Sequence, residues 1–166
     1  MNPPVSALAI HYATMTGNAE GLARQAYELA LNSGLPATLH NLSEVRPADL
    51  AELAARPGAV ALFIVSTWGD GEPPADACDF HYDLQKQNIT LHGLRHAVFG
   101  LGDQDYTNFN AFARELDARL LVLGARALLP RCEADLDFDD TFTVWLGQVM
   151  ATLANPIQLE ASTPTS

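Results

Sequence analysis

Residues 5–34 read VSALAIHYATMTGNAEGLARQAYELALNSG, and their pattern sets the architecture of the whole chain. Val5 to Tyr12 is a short apolar run of strand length. From about Gly17 to Asn32, Leu22, Ala26, Leu29 and Ala30 recur at the spacing that puts them on one face of a helix. Ser33-Gly34 ends that helix, because glycine takes the left-handed C-terminal position without a steric penalty. A strand, a small polar loop and an amphipathic helix form one unit of a parallel sheet wrapped by helices.

The rest of the chain repeats the rhythm. Ala37 to Leu42 makes a second strand, at an edge. Ala59 to Val65 (AVALFIV) is continuously apolar, as a central parallel strand buried on both faces must be. Pro73-Pro74 admits a helix through about Gln87, since proline is tolerated in a first turn. His96 to Leu101 reads as a fourth strand, Phe109 to Leu123 as its helix, Ala125 to Pro130 as the fifth strand and Thr141 to Leu153 as the last helix. Five strands and about five helices predict one open, doubly wound α/β domain over residues 5–154. Residues 1–4 and 155–166 carry no periodic pattern and read as a disordered N-terminus and a disordered tail or linker.

Composition narrows the function. The 166 residues are 48% hydrophobic, which excludes a disordered chain, and the run Ala59 to Val65 is too short to span a bilayer. No basic segment followed by an apolar stretch opens the chain, so the reading is a soluble protein of the cytoplasm. Cys78 and Cys132 are too few for a disulfide scaffold and lack metal-ligand spacing, as do the scattered His11, His40, His81, His92 and His96; no metal is expected. The histidines and Cys132 read as surface or packing residues, and Phe142 and Trp145 as core. The net charge is −11, and residues 67–140 hold fourteen of the twenty acids but only six of the nine bases. A field of that sign repels nucleic acid and anionic membranes and attracts basic proteins.

In sheets of this kind the ligand sits beyond the carboxyl ends of the strands, where strand order reverses. The first strand runs into Thr14-Met15-Thr16-Gly17-Asn18-Ala19, the third into Ser66-Thr67-Trp68-Gly69-Asp70-Gly71, and the fourth into Gly100-Leu101-Gly102-Asp103-Gln104-Asp105-Tyr106. The first loop is a phosphate cradle by physical logic. Two hydroxyls, an amide and the N–H groups of a helix start can all donate to an anion, with no lysine or arginine among them. It lacks the Gly-Lys-Ser/Thr ending of a Walker loop and the Gly-x-Gly-x-x-Gly of a dinucleotide site. Trp68 and Tyr106, large aromatics on neighbouring loops, suit a flat ring lying against them. Gly69 and Gly71 flank Asp70 and leave the backbone free to turn a carbonyl or an N–H toward that ring. A phosphoacceptor receiver domain would need paired acids after the first strand and an aspartate after the third; Thr14-Met15 and Ser66-Thr67 stand there instead.

These stretches, TMTGNA (14–19), STWGDGEPP (66–74) and GLGDQDYTNFN (100–110), resemble the three flavin mononucleotide (FMN) loops of flavodoxins. The resemblance covers about residues 5–153 and is of the short-chain type, since no long insertion splits the fifth strand. GEPP, FGLGD and LPRCEAD (129–135) are similar to the FMN domain of diflavin reductases, above all the sulfite reductase flavoprotein. The resemblance implies a flavodoxin-like three-layer sandwich whose five-stranded parallel sheet has the order 2-1-3-4-5. It assigns Thr14, Met15, Thr16, Gly17, Asn18 and Ala19 to the phosphate, with Met15 giving only its N–H where the family often has Gln or Thr. It sets Trp68 and Tyr106 on opposite faces of the ring, and makes Gly69 the residue whose carbonyl turns to accept the proton on ring atom N5. Gly102 and Asp103 line the pyrimidine edge, and Asp103 or Asp135 puts negative charge near it. Ser66, Thr67, Asp70, Gly71, Leu101, Phe109 and Asn110 complete the implied cofactor-binding set.

The function that follows is a monomeric, FMN-binding electron-transfer protein that shuttles single electrons between a reductase and a redox acceptor. Asp70, Glu72, Asp76, Asp103, Asp105, Asp135 and Asp137 would form an acidic collar that docks basic redox partners. No acid/base or nucleophile constellation is visible, so no catalytic residue is assigned and the domain reads as a carrier rather than an enzyme alone. The alternative is the FMN domain of an NADPH-dependent diflavin reductase, taking electrons from a flavin reductase domain or subunit. A flavin-dependent quinone reductase ranks third, because it needs a substrate pocket at an oligomer interface.

Overall fold

The computed structural model describes residues 5–14, 17–67, 73–102, 110–135 and 137–154. Along the chain run β1 (Ala7–Ala13), α1 (Asn18–Asn32), β2 (Ala37–Asn41), α2 (Pro47–Ala54), β3 (Ala59–Ser66), α3 (Cys78–Lys86), β4 (Arg95–Leu101), α4 (Ala111–Val122), β5 (Arg126–Ala127), β6 (Cys132–Ala134) and α5 (Asp139–Ala154). The sheet order is β2-β1-β3-β4-β5, all pairs parallel, with β6 also on β4. The expected 2-1-3-4-5 order is therefore the observed one.

Two buried layers flank the sheet because successive strand residues point to opposite faces. Leu62, Ile64 and Phe99 meet α1 and α5 through Leu22, Ala26, Phe142 and Trp145. Ala61, Phe63, Val65 and Val98 meet α3 and α4 through Leu84, Phe112, Leu116 and Leu120. β3 is buried along all but its last residue, and β4 along its whole length, as continuously apolar central strands require. β2 is buried only at its first residue, as befits an edge. Phe142 and Trp145 lie in the core as expected.

Three boundaries differ from the sequence reading. Helix α2 was not singled out there, yet Pro47 starts it and Asp49 closes its first turn by accepting from the Arg46 N–H at 2.9 Å. Pro73-Pro74 lie outside a helix; a 3-10 turn over Ala75–Ala77 leads into α3. The fifth strand, expected over 125–130, pairs only at Arg126–Ala127 and resumes at Cys132–Ala134. The Leu128 N–H still reaches the His96 carbonyl at 2.7 Å, but Pro130 has no N–H to continue the ladder.

Candidate functional site

The carboxyl ends of β1, β3 and β4 lie side by side in the sheet, so the residues directly after them, Thr14, Thr67 and Gly102, lie at one edge of the domain. After β1, Gly17 takes a left-handed conformation at φ 93° and donates its N–H to Thr14 Oγ1 at 2.8 Å. That bond uses the hydroxyl as an acceptor, and among the described residues its hydrogen has no acceptor. Among the described residues no side chain caps α1, and the N–H groups of its first turn have no partner within the helix. Asn18 is exposed and Ala19 is fully buried, so Ala19 has only its N–H to offer a ligand.

The ends of β3, β4 and β6 are laced together by backbone bonds. Thr67 N–H donates to Leu101 O at 2.9 Å, and Gly102 N–H donates to Ala134 O at 3.0 Å. Asn110 starts α4 in a left-handed conformation, φ 56°, and is fully buried. Its Nδ2 donates to Ala134 O at 3.2 Å. One carbonyl thus ties both flanks of the stretch between Gly102 and Asn110. A Cβ on Gly100 would stand 2.6 Å from the Ala113 Cβ and 2.8 Å from Asn110 Oδ1; one on Gly102 would meet Asn110 Oδ1 at 3.0 Å. Glycine is required at Gly100 for α4 to approach β4 this closely, and at Gly102 a side chain would fit only if Asn110 gave way by a few tenths of an ångström.

Three buried polar atoms at this end of the sheet have no hydrogen-bond partner among the described residues, Thr67 Oγ1, Asn110 Oδ1 and Asp76 Oδ1. Buried polar atoms are rarely left unpaired without reason. Orphaned oxygens at the ends of β3 and α4 and, among the described residues, an uncapped helix start after β1 fit a phosphorylated, hydrogen-bonding ligand, so FMN suits the residues present. Asp135 and Asp76 are partly buried and Asp137 is exposed, at the same end of the sheet.

Of the predicted site residues, the structure places Thr14, Gly17, Asn18, Ala19, Ser66, Thr67, Leu101, Gly102, Asn110 and Asp135 at this carboxyl edge. Met15, Thr16, Trp68, Gly69, Asp70, Gly71, Asp103, Tyr106 and Phe109 lie outside the described residues, as do Glu72 and Asp105. Ala134 and Gly100 were not predicted as site residues. The first acts through a backbone carbonyl, which carries no side-chain signal; the second could have been read from the Gly-x-Gly at the end of β4.

A groove of about 570 Å³ lies elsewhere, between β1, β2 and α2, and none of the predicted residues lines it. Some of its polar groups are already matched: His40 Nε2 bonds Thr38 Oγ1 at 2.8 Å, and Asp49 accepts from the Arg46 N–H at 2.9 Å. Buried against it is His11, stacked on His40 and Phe63 and pushed down to a pKa of about 3 by burial and by His40. Cys132, half-buried at the start of β6, has its thiol pKa pushed up by burial and then by Glu133, which suits a packing residue rather than a reactive thiolate.

Comparison with known proteins agrees with this geometry. The family model for flavodoxins matches residues 10–144. The chain is 37% identical over 147 residues to the sulfite reductase [NADPH] flavoprotein alpha-component of Bacillus subtilis (strain 168), covering 88% of this chain and 24% of that protein. It is 32% identical over 157 residues to the NADPH–cytochrome P450 reductase of Oryctolagus cuniculus, covering 93% and 23% respectively. It therefore spans about a quarter of the length of these two relatives. Among solved structures, a Streptococcus pneumonia TIGR4 flavodoxin superposes with TM-score 0.76 at 27% identity, covering 92% of this chain and all of that one. A cysteine-substituted flavodoxin from Pseudomonas aeruginosa gives TM-score 0.75 at 29% identity, covering 89% and 99%. The chain belongs to the flavodoxin family.

Proposed function

We propose that this domain binds FMN noncovalently at the carboxyl edge of its sheet and passes single electrons between a reductase and a redox acceptor. The observation that carries the reading is the pair of orphaned buried oxygens, on Thr67 and Asn110, beside an uncapped helix start. Thr14, Thr16, Asn18 and the N–H groups of Met15, Gly17 and Ala19 would hold the phosphate. Trp68 and Tyr106 would stack on the two ring faces, and the Gly69 carbonyl would accept a proton at N5. Bound there, the flavin supplies the one-electron chemistry, and the protein supplies orientation and electrostatics. Asp103 and Asp135 add negative charge near the ring and so oppose further negative charge on it. The neighbouring acids, Asp70, Glu72, Asp76, Asp105 and Asp137, form a collar for basic partner proteins in the cytoplasm. Among the described residues no helix is long and apolar enough to cross a membrane.

A second reading is favoured by the relatives themselves, each about four times as long as the match. In it this domain is the FMN module of an NADPH-dependent reductase and receives electrons from a flavin reductase domain or subunit. Both readings place the same cofactor at the same edge.

The test is FMN titration of the purified protein, followed by anaerobic reduction watched by visible absorption. The expected result is a yellow complex that passes through a blue one-electron form before bleaching. Direct bleaching would refute one-electron shuttling while keeping the cofactor, and a protein that stays colourless with added FMN would refute the reading altogether.

A further inference from the structure

The stretch from β5 to β6 is thinly held by backbone. Two residues pair on β4, residues 128–131 interrupt the strand, and three more pair at its end. Yet this is the stretch that delivers the Ala134 carbonyl to Gly102 and Asn110. A run of charged side chains supplies what the ladder lacks. His96 on β4, fully buried, donates Nε2–H to Asp117 Oδ1 at 2.8 Å. Arg131 donates from Nη1 to Asp117 Oδ2 at 3.0 Å and from Nε to Glu133 Oε2 at 2.8 Å. Arg114 Nη1 lies 3.5 Å from Glu133 Oε1.

Asp117 stands at the centre of this run. It projects from α4, is 7% exposed, and has each oxygen committed to a different strand segment. Burial alone would push its carboxyl pKa up; the hydrogen bonds and charges of His96 and Arg131 outweigh that and hold it below the ordinary carboxylate value. It therefore works as an anion, and charge-assisted bonds of this length are the strong ones.

We propose that Asp117 is a positioning residue for the ring side of the flavin site. By joining α4 to His96 and Arg131 it fixes β6, and through the Ala134 carbonyl it fixes Gly102 and Asn110. The inference rests on the FMN reading above. It separates the two halves of the site, because the phosphate loop after β1 has no link to the Asp117 run among the described contacts.

The test uses Asp117→Asn, which keeps the shape and removes the charge. Dissociation constants are measured for FMN and for riboflavin, which lacks the phosphate, at a temperature well below unfolding. Loss of two charge-assisted bonds predicts that both constants rise by about tenfold with their ratio unchanged, and that the flavin midpoint potential shifts. Leu50→Ala, a cavity in α2 away from this edge, is the control for general destabilisation: it should lower the melting temperature and leave both constants unchanged. Asp117→Glu, which keeps the charge, should recover part of the affinity. If Asp117→Asn does not fold, Arg131→Lys, which gives up the Nε bond to Glu133, must raise both constants at least twofold. Wild-type-like binding in the folded variant, or weakened FMN with unchanged riboflavin, overturns the proposal while the FMN reading stands. Failure of the wild-type protein itself to bind FMN overturns that reading instead.

Discussion

Replacing Gly100 by alanine puts two physical effects in opposition, and the structure decides the winner. Alanine restricts the unfolded chain more than glycine does, which by itself stabilises by about 0.4–1 kcal/mol where the native backbone accepts it. Against this, the new methyl would stand 2.6 Å from the Ala113 Cβ and 2.8 Å from Asn110 Oδ1. Neither neighbour yields easily. Ala113 is a fully buried residue of α4, and Asn110 is fully buried with its Nδ2 bonded to Ala134 O. Overpacking of this kind costs about 1–3 kcal/mol, so the net expectation is a loss of about 1–2 kcal/mol. For a domain of this size that lowers the melting temperature by roughly 2–8 °C.

Urea titration followed by circular dichroism measures the effect, with Gly147→Ala as the internal comparison. Gly147 lies on the exposed face of α5 and a Cβ there meets nothing within 4 Å, so that variant should gain about 0.5–1 kcal/mol. Because the shift at Gly100 pushes α4 and Asn110 away from β4, it should also weaken flavin binding, whereas Gly147→Ala should not. A Gly100→Ala protein as stable as wild type would show that α4 can move off the sheet at no cost, and the close-approach argument would fail.

Other expectations follow from single groups. His11 is neutral when folded down to about pH 3, while the unfolded chain takes up its proton below 6.5. Stability should therefore fall as pH drops from 6.5 toward 3, by up to about 1.4 kcal/mol per pH unit from this group, and His11→Phe should flatten the profile measured by urea titration. Among the described residues both terminal nitrogens of the buried Arg95 lack a hydrogen-bond partner, and burial and then Arg126 push its pKa down. Arg95→Met should thus raise stability by about 1 kcal/mol, and a marked loss in thermal melting would show that the guanidinium has a partner after all. Asn110→Ala removes the bond to Ala134 and leaves a left-handed backbone that alanine resists, so it should cost about 2–3 kcal/mol in denaturant titration. Reduction of a basic redox partner should slow as salt rises, with a stopped-flow rate independent of ionic strength refuting the acidic collar.

The sheet was legible because its strands carry their own boundaries. AVALFIV is apolar at every position, and no half-buried strand or surface helix would tolerate that. Helix α1 announced itself by spacing and by its glycine stop. Helix α2 went unread although Arg46-Pro47-Ala48-Asp49 carries a start signal, because eight residues give little more than two turns of periodicity. The break between β5 and β6 was hidden for a different reason. Ala125 to Pro130 reads as apolar strand, and what divides it is Pro130 together with the side-chain demands of Arg131, whose partners Asp117 and Glu133 come together only in the folded chain. The tie that Ala134 makes to Gly102 and Asn110 went unread, because it runs through a backbone carbonyl that carries no side-chain signal.

The charge distribution joins the two halves of the proposed function. In the proposed reading, a phosphate held after β1 by hydroxyls, N–H groups and a helix dipole would be bound without being neutralised, since residues 14–19 contain no cation. Cofactor binding then adds negative charge to a chain already at −11, at the same edge that Asp76, Asp135 and Asp137 occupy. A lysine in that loop would tighten the phosphate but would cancel part of this field. In the proposed reading the field would act twice. On the bound ring it would oppose added negative charge, and in solution it would draw basic partners to that edge. Introducing a lysine at Asn18, the exposed first residue of α1, should therefore tighten FMN, raise the potential of its final reduction step and flatten the salt dependence of electron transfer together. If the affinity rises while the other two stay fixed, phosphate binding and ring electrostatics are separate devices.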